Sequence, residues 1–393
     1  MIHHADVLDA LRAMPDNSYH GCLTDPPYGL SFMGHQWDHG VPSAEVWREV
    51  LRVLRPGAAL LAFGGTRTFH RLTCAIEDAG FEVRDCLMWL YGSGFPKSHD
   101  VSKAIDREAG AVREVVGEYR MPMDSTAPGR EPSQGLGYGS GAASCVGRPI
   151  TAPATEAARQ WEGHGTALKP AWEPIILARK PLEGTVAQNV QRWGCGALAI
   201  DASRVEGLAE KPGGKIRTVR HFDGHETGRA DKDAPEPNPL GRWPANVILD
   251  EEAGAALDAQ SGNRPSTLTG RADPAKAHAH PADPAKRRGS MFGNESAQAS
   301  VYADSGGASR FFYCAKASKA ERGGRNVHPT VKPLALTTYL ARLILPPVEG
   351  VRLLVPFCGS GSEMLGGTRA GWSHVEGIDS WDVAVKIARA RTA

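Results

Sequence analysis

Asp25-Pro26-Pro27-Tyr28 sets a carboxylate, a rigid two-proline corner and an aromatic ring at the end of a short apolar run. Asp25 and the backbone carbonyl of Pro26 can accept the two hydrogens of an exocyclic amino group. The Tyr28 ring can stack on a flat heterocycle, and Pro27 helps to stiffen the corner. This is equipment for chemistry on the amino group of a base drawn out of a helix. The plainer reading is a strand-ending turn, with Asp25 capping it and Tyr28 packed. Tyr28 follows two prolines at the carboxyl edge of a strand, where open α/β sheets bind ligands, and that favours the functional reading.

A second signal lies far downstream. Leu353-Leu354-Val355-Pro356-Phe357-Cys358-Gly359-Ser360-Gly361-Ser362 reads as a buried strand, a glycine turn and the start of a helix. Without side chains at Gly359 and Gly361, backbone can approach a ligand closely. A Gly-x-Gly pair alone is also an ordinary turn. Asp379 ends the next strand about twenty residues on, where a carboxylate can accept both ribose hydroxyls. The spacing would suit a nicotinamide dinucleotide too. Met364 stands where the third glycine of that fingerprint belongs, which favours an adenosyl ligand without a pyrophosphate. An oxidoreductase would also leave Asp25 to Tyr28 unexplained.

With His328-Pro329-Thr330-Val331-Lys332-Pro333-Leu334, these segments resemble the DNA amino-methyltransferases that use S-adenosylmethionine. Asp-Pro-Pro-Tyr first and Phe-x-Gly-x-Gly last is similar to their permuted β class. The resemblance implies a Rossmann-like α/β fold with circularly permuted motif order. It implies that Asp6 contacts the cofactor's adenine amino group and that Phe357 packs on the cofactor. Thr330 and Lys332 match the polar pair at the methionine end. Ser360 belongs to the glycine turn, and Ser362 keeps the hydroxyl of the usual threonine. Val355 stands where the family usually has aspartate, so one carboxylate is missing. The implied reaction is methylation of adenine N6 in duplex DNA, with no metal. Cytosine N4 is the alternative, although related cytosine enzymes more often carry serine at the place of Asp25. A DNA-binding protein that kept the fold and lost turnover is the reading outside the enzymes. The resemblance also raises a homodimer and a cognate restriction endonuclease as partners. It covers residues 1–97 and about 311–391 and extends to Leu168–Pro174, but not to the inserts.

The elements that must position these residues alternate. Helices are expected over Val7–Met14, Glu45–Leu54 and Phe69–Ala79, and strands over His20–Thr24, Ala58–Phe63 and Val83–Tyr91. Residues 1–97 therefore form the catalytic half of a parallel α/β domain. Residues 98–168 are rich in Gly, Pro and Ser and read as an irregular insertion. Residues 169–181 hold a strand expected to pair with Val83–Tyr91 and finish the sheet. Residues 182–310 are irregular and serve as the candidate target-recognition region. Residues 311–393 form the cofactor half, with helices over Leu334–Leu345, Ser362–Ala370 and Trp381–Arg391 and strands over Val351–Val355 and Val375–Ile378. Residues 1–14 look like the βα unit that would follow, which is how a circular permutation reads.

The formal charge of the 393 residues is +1, so any nucleic-acid footprint is local. Eleven Lys or Arg lie between Arg264 and Arg325 against five Asp or Glu, an excess of six. Lys286, Arg287, Arg288 and Arg310 are the candidate phosphate contacts in that stretch, whose plain reading is a solvated linker. Gly92 to Lys97 and Trp37-Asp38 are further candidates for the base pocket. Seven cysteines without a Cys-x-x-Cys pair fit a reducing cytoplasm and no zinc ribbon. The histidines show no metal spacing, and no apolar run approaches a membrane span of ~20 residues.

Overall fold

The computed structural model describes residues 1–30, 40–92, 94, 98–119, 148–207, 240–267, 301–315 and 331–393. Lys286, Arg287, Arg288, Thr330 and Trp37-Asp38 lie outside the described residues, as do Ser93 and Phe95 to Lys97. The chain forms two compact units, Met1–Ser93 with Ala171–Ala393, and Gly94–Pro170.

The larger unit opens with β1 (Ile2–His4), α1 (Val7–Arg12), β2 (Tyr19–Thr24), α2 (Ala44–Val53), β3 (Leu54–Phe63), α3 (Phe69–Asp78) and β4 (Glu82–Leu90). The smaller unit follows with α4 (Val101–Glu108), β5 (Val115–Tyr119), β6 (Arg148–Thr151) and α5 (Glu156–Gln160). The larger unit resumes with β7 (Trp172–Arg179), α6 (Val186–Trp193), β8 (Val247–Asp250), α7 (Glu251–Ser261), β9 (Arg264–Thr267), β10 (Val301–Gly306) and β11 (Tyr313–Ala315). It closes with α8 (Leu334–Leu343), β12 (Arg352–Pro356), α9 (Ser362–Ala370), β13 (His374–Asp379) and α10 (Asp382–Thr392).

Nine strands form one sheet in the order β1-β13-β12-β2-β3-β7-β4-β8-β11. Its strands are parallel except β7, which runs antiparallel to both β3 and β4. Both faces are buried, so the central strands read as near-continuous apolar runs. Side chains alternate between the faces. Cys22, Leu60, Ala62, Ile176 and Leu354 join one core, with Trp47 and Val50 of α2 and Leu72 and Ile76 of α3. Leu23, Leu61, Phe63, Ile175 and Leu353 join the other, with Leu336 and Leu340 of α8.

Three differences from the sequence reading have physical causes. β3 begins at Leu54, and Pro56-Gly57 does not interrupt it. The register against β2 shifts between Tyr19 and Gly21, which accommodates the missing proline N–H. β7 pairs with β4 as expected but inserts between β3 and β4, so it does not finish the sheet. The outer strands β8 and β11 have four and three residues, too short to carry a period in sequence. The smaller unit escaped notice because its centre is polar. The buried Asp106 binds the Arg113 guanidinium at 2.6 Å and accepts from the Ala154 and Thr155 amides at 2.9 and 3.0 Å.

Candidate active site

The carboxyl end of β2 meets the carboxyl end of β12. The Thr24 hydroxyl donates to the Pro356 carbonyl at 2.6 Å, tying the Asp25 corner to the strand that carries the glycine turn. From this point β12, β13 and β1 step one way across the sheet, and β2 and β3 step the other. Open α/β sheets bind ligands in the crevice at such a switch point.

On the β2 side, Tyr28 Oη donates to Asp25 Oδ1 at 2.7 Å and lies 3.3 Å from Glu173 Oε2. Lys332 Nζ lies 3.0 Å from Asp25 Oδ2, 2.9 Å from Glu173 Oε2 and 2.9 Å from Tyr28 Oη. The ammonium also stands 4.7 Å from the centre of the Phe63 ring. Glu173 reaches this cluster because β7 is reversed: the start of an antiparallel strand lies at the same edge as the ends of its parallel neighbours. Burial works to lower the Lys332 pKa, but the carboxylates of Asp25 and Glu173 outweigh it and keep the ammonium charged. Burial, and then the same two carboxylates, hold the Tyr28 phenol well above its ordinary value.

On the β12 side, the glycine turn is pinned by backbone and by Asp379. Cys358 N donates to the Ile378 carbonyl at 3.0 Å and Gly361 N to the Cys358 carbonyl at 2.7 Å. Asp379 accepts Gly359 N on Oδ2 and Trp381 N on Oδ1, each at 2.8 Å. Gly361 has φ of +82°, which favours glycine. Phe357 has φ of +56°, a strained value for a bulky side chain and a kind of strain that clusters at ligand sites. Arg391 of α10 braces the turn, with Nη1 2.7 Å from the Ser360 carbonyl, 2.9 Å from Ser360 Oγ and 3.2 Å from Ser362 Oγ. Glu363, in the first turn of α9, is 4% exposed. Burial, and then the charge of Asp25, raise its carboxyl above the usual range. Val355 is fully buried in the apolar core.

The candidate residues thus fall into groups. Asp25, Pro26, Pro27 and Tyr28 follow β2, while Phe357, Gly359, Ser360, Gly361 and Ser362 follow β12 and Asp379 ends β13, and Thr24 bonded to Pro356 joins β2 to β12. Lys332 stands on Asp25 and Glu173. Asp6 is exposed and caps α1, with Oδ1 accepting Leu8 N at 2.9 Å and Asp9 N at 3.3 Å. Arg310 spends its Nη1 on the Gly306 and Gly307 carbonyls, each at 2.6 Å. Sequence reasoning gave no role to Glu173, Glu363 or Arg391. Glu173 and Glu363 could have been noticed as charged residues opening a buried strand and a buried helix face.

The family model for the N6/N4 DNA methylases matches residues 19–365, most of the chain, and spans both sides of this crevice. The chain belongs to that family. Among curated relatives of this family member is the Type II methyltransferase M.HindIII of Haemophilus influenzae, 23% identical over 149 residues. The match covers 27% of this chain and 48% of M.HindIII, so the chain spans about half the length of that relative. The solved structure of M1.HpyAVI with SAM is 13% identical, covers 100% of this chain and 98% of that one, and has a TM-score of 0.37. The cytosine-N4-specific PvuII DNA methyltransferase is 11% identical, covers 100% and 86%, and has a TM-score of 0.42. The family match, not these superpositions, carries the assignment. No helix among the described residues is long and apolar enough to cross a membrane.

Proposed function

We propose that this protein transfers the methyl group of S-adenosylmethionine to the N6 amino group of adenine in duplex DNA, by base flipping. The observation that carries the reading is the Asp25–Tyr28 corner, tied through Thr24 to the strand of the glycine turn. The donor set also suits a cationic cofactor. Lys332 is already shared by Asp25 and Glu173, so the buried Glu363 carboxyl is the charge left to face a positive ligand. In this reading Gly359 to Ser362, Phe357, Asp379, Asp6, Thr330 and Lys332 hold the cofactor. When bound, S-adenosylmethionine supplies an electrophilic methyl on a sulfonium.

The adenine amino nitrogen is a poor nucleophile because its lone pair is delocalised into the ring. Asp25 and the Pro26 carbonyl accept its two hydrogens and draw the nitrogen toward a tetrahedral shape. Tyr28 stacks on the base, and its phenol stays neutral because burial and two carboxylates oppose ionisation. Catalysis is positioning and electrostatics in a site sheltered from water. No cysteine nucleophile is needed.

The late position of β12 and the pairing of β1 with β13 support the permuted β class. The stretch around Lys286, Arg287, Arg288 and Arg310 supplies phosphate contacts in this reading. The resemblance adds a second copy of the chain and a cognate restriction endonuclease as partners, which light scattering and protection of methylated DNA from cleavage test. The reaction is tested by nucleoside mass spectrometry of duplex DNA incubated with the protein and S-adenosylmethionine. N6-methyladenine is expected. N4-methylcytosine would move the target base, and no methylated base would overturn the reading.

A further inference from the structure

Lys332 is already shared between Asp25 and Glu173, at 3.0 and 2.9 Å. Arg391 directs its Nη1 to Ser360 and Ser362. Neither cation is within ion-pair distance of Glu363. Glu363 is 4% exposed. It opens the nine-residue helix α9, directly after the glycine turn. The charges that act on it are Asp25, directly after β2, Lys332, from the segment before α8, and Arg391, from α10. Burial, and then the charges of Asp379 and Glu363, raise the pKa of the Cys358 thiol. Asp25 is the foremost of these charges on Glu363. A buried carboxyl with no cation in direct contact is costly unless one joins it.

On the function proposed above, the methyl must lie beside the amino nitrogen that Asp25 holds. The sulfonium therefore lies close to Asp25, whose charge acts on Glu363. Val355 offers no charge to share the task. We propose that Glu363 is the counter-charge for the sulfonium and makes the site prefer S-adenosylmethionine to its neutral thioether product. It is a specificity residue for the cofactor, acting at the charge that disappears on turnover.

Calorimetry of the full chain with S-adenosylmethionine and with S-adenosylhomocysteine tests this. Glu363→Gln should weaken S-adenosylmethionine binding by roughly tenfold or more, the worth of a contact to a charged group, and change S-adenosylhomocysteine binding by less than about threefold. Because only the ionised carboxylate attracts the cation, wild-type preference for S-adenosylmethionine should rise from about pH 6 to about pH 8, and the variant's should not. Glu363→Met keeps the volume without the charge and should give the same selective loss if the glutamine variant misfolds. Equal losses for both ligands, or no loss, would overturn the inference while leaving the methyltransferase reading in place. A wild-type chain that binds neither ligand would overturn that reading instead.

Discussion

Tyr28 and Lys332 divide the two oxygens of Asp25 between them, and Glu173 accepts from both. Lys332 thereby serves as the counter-charge to two buried carboxylates. Breaking a buried pair by removing one partner costs about 3–5 kcal/mol. Lys332→Met should lower unfolding free energy in urea by that order, and adding Glu173→Gln should recover part of it. Equal stability of Lys332→Met and wild type would mean that the cluster contributes nothing to the fold. His20 gives a separate pH signature. It is buried in β2, and its Nδ1 accepts Arg352 N–H at 3.1 Å. Burial, and then the charges of Arg55 and Arg352, lower its pKa from 6.5 to about 4. The unfolded chain therefore binds this proton first, and stability falls as pH drops from 6.5 toward 4. The loss is up to about 3 kcal/mol. His20→Asn should flatten that acid limb in urea unfolding at pH 7 and pH 4.5, and an unchanged limb would assign it to other groups. Asp25 and Tyr28 were legible in the sequence because their chemistry is local to four residues. Glu173 was not, because its partners lie 145 and 159 residues away, as 173 − 28 and 332 − 173 show.

The glycine turn works as an element because Asp379 holds it from the next strand. Both Asp379 oxygens accept backbone N–H groups, so the carboxylate fixes the turn. Asp379→Ala should weaken S-adenosylmethionine binding by about 1.5–3 kcal/mol, the worth of hydrogen bonds to a charged group. Calorimetric affinity equal to wild type would mean that the ribose contact lies elsewhere. The helices and strands of this half were legible because their apolar periods are long and their stops are glycine or proline. Ser362–Ala370 is the helix expected from sequence. The place of β7 was not legible. A strand's sequence carries its burial but not its neighbours, and Ile175 and Leu177 would read alike at the edge or between β3 and β4. The four- and three-residue strands β8 and β11 failed for the opposite reason, having too few residues to show any pattern.

At the scale of the whole molecule, a net charge of +1 requires that affinity for DNA come from a local stretch. If Lys286, Arg287 and Arg288 touch phosphates, replacing all three by Ala should lower the slope of log K against log salt by up to about 2.7, at ~0.9 for each phosphate no longer neutralised. The weakening should be uniform across sequences, since phosphate contacts carry no base information. An unchanged slope would leave the triplet on a solvated linker. In the proposed reaction one side of the sheet binds the methyl donor and Asp25 activates the acceptor. Single-turnover transfer of tritiated methyl to duplex DNA, by wild type and Asp25→Ala side by side with calorimetric cofactor affinity, tests it most directly. Transfer by the variant should fall by about a hundredfold or more while S-adenosylmethionine affinity changes little. Transfer by Asp25→Ala within about tenfold of wild type would contradict the role of Asp25, and with it the account.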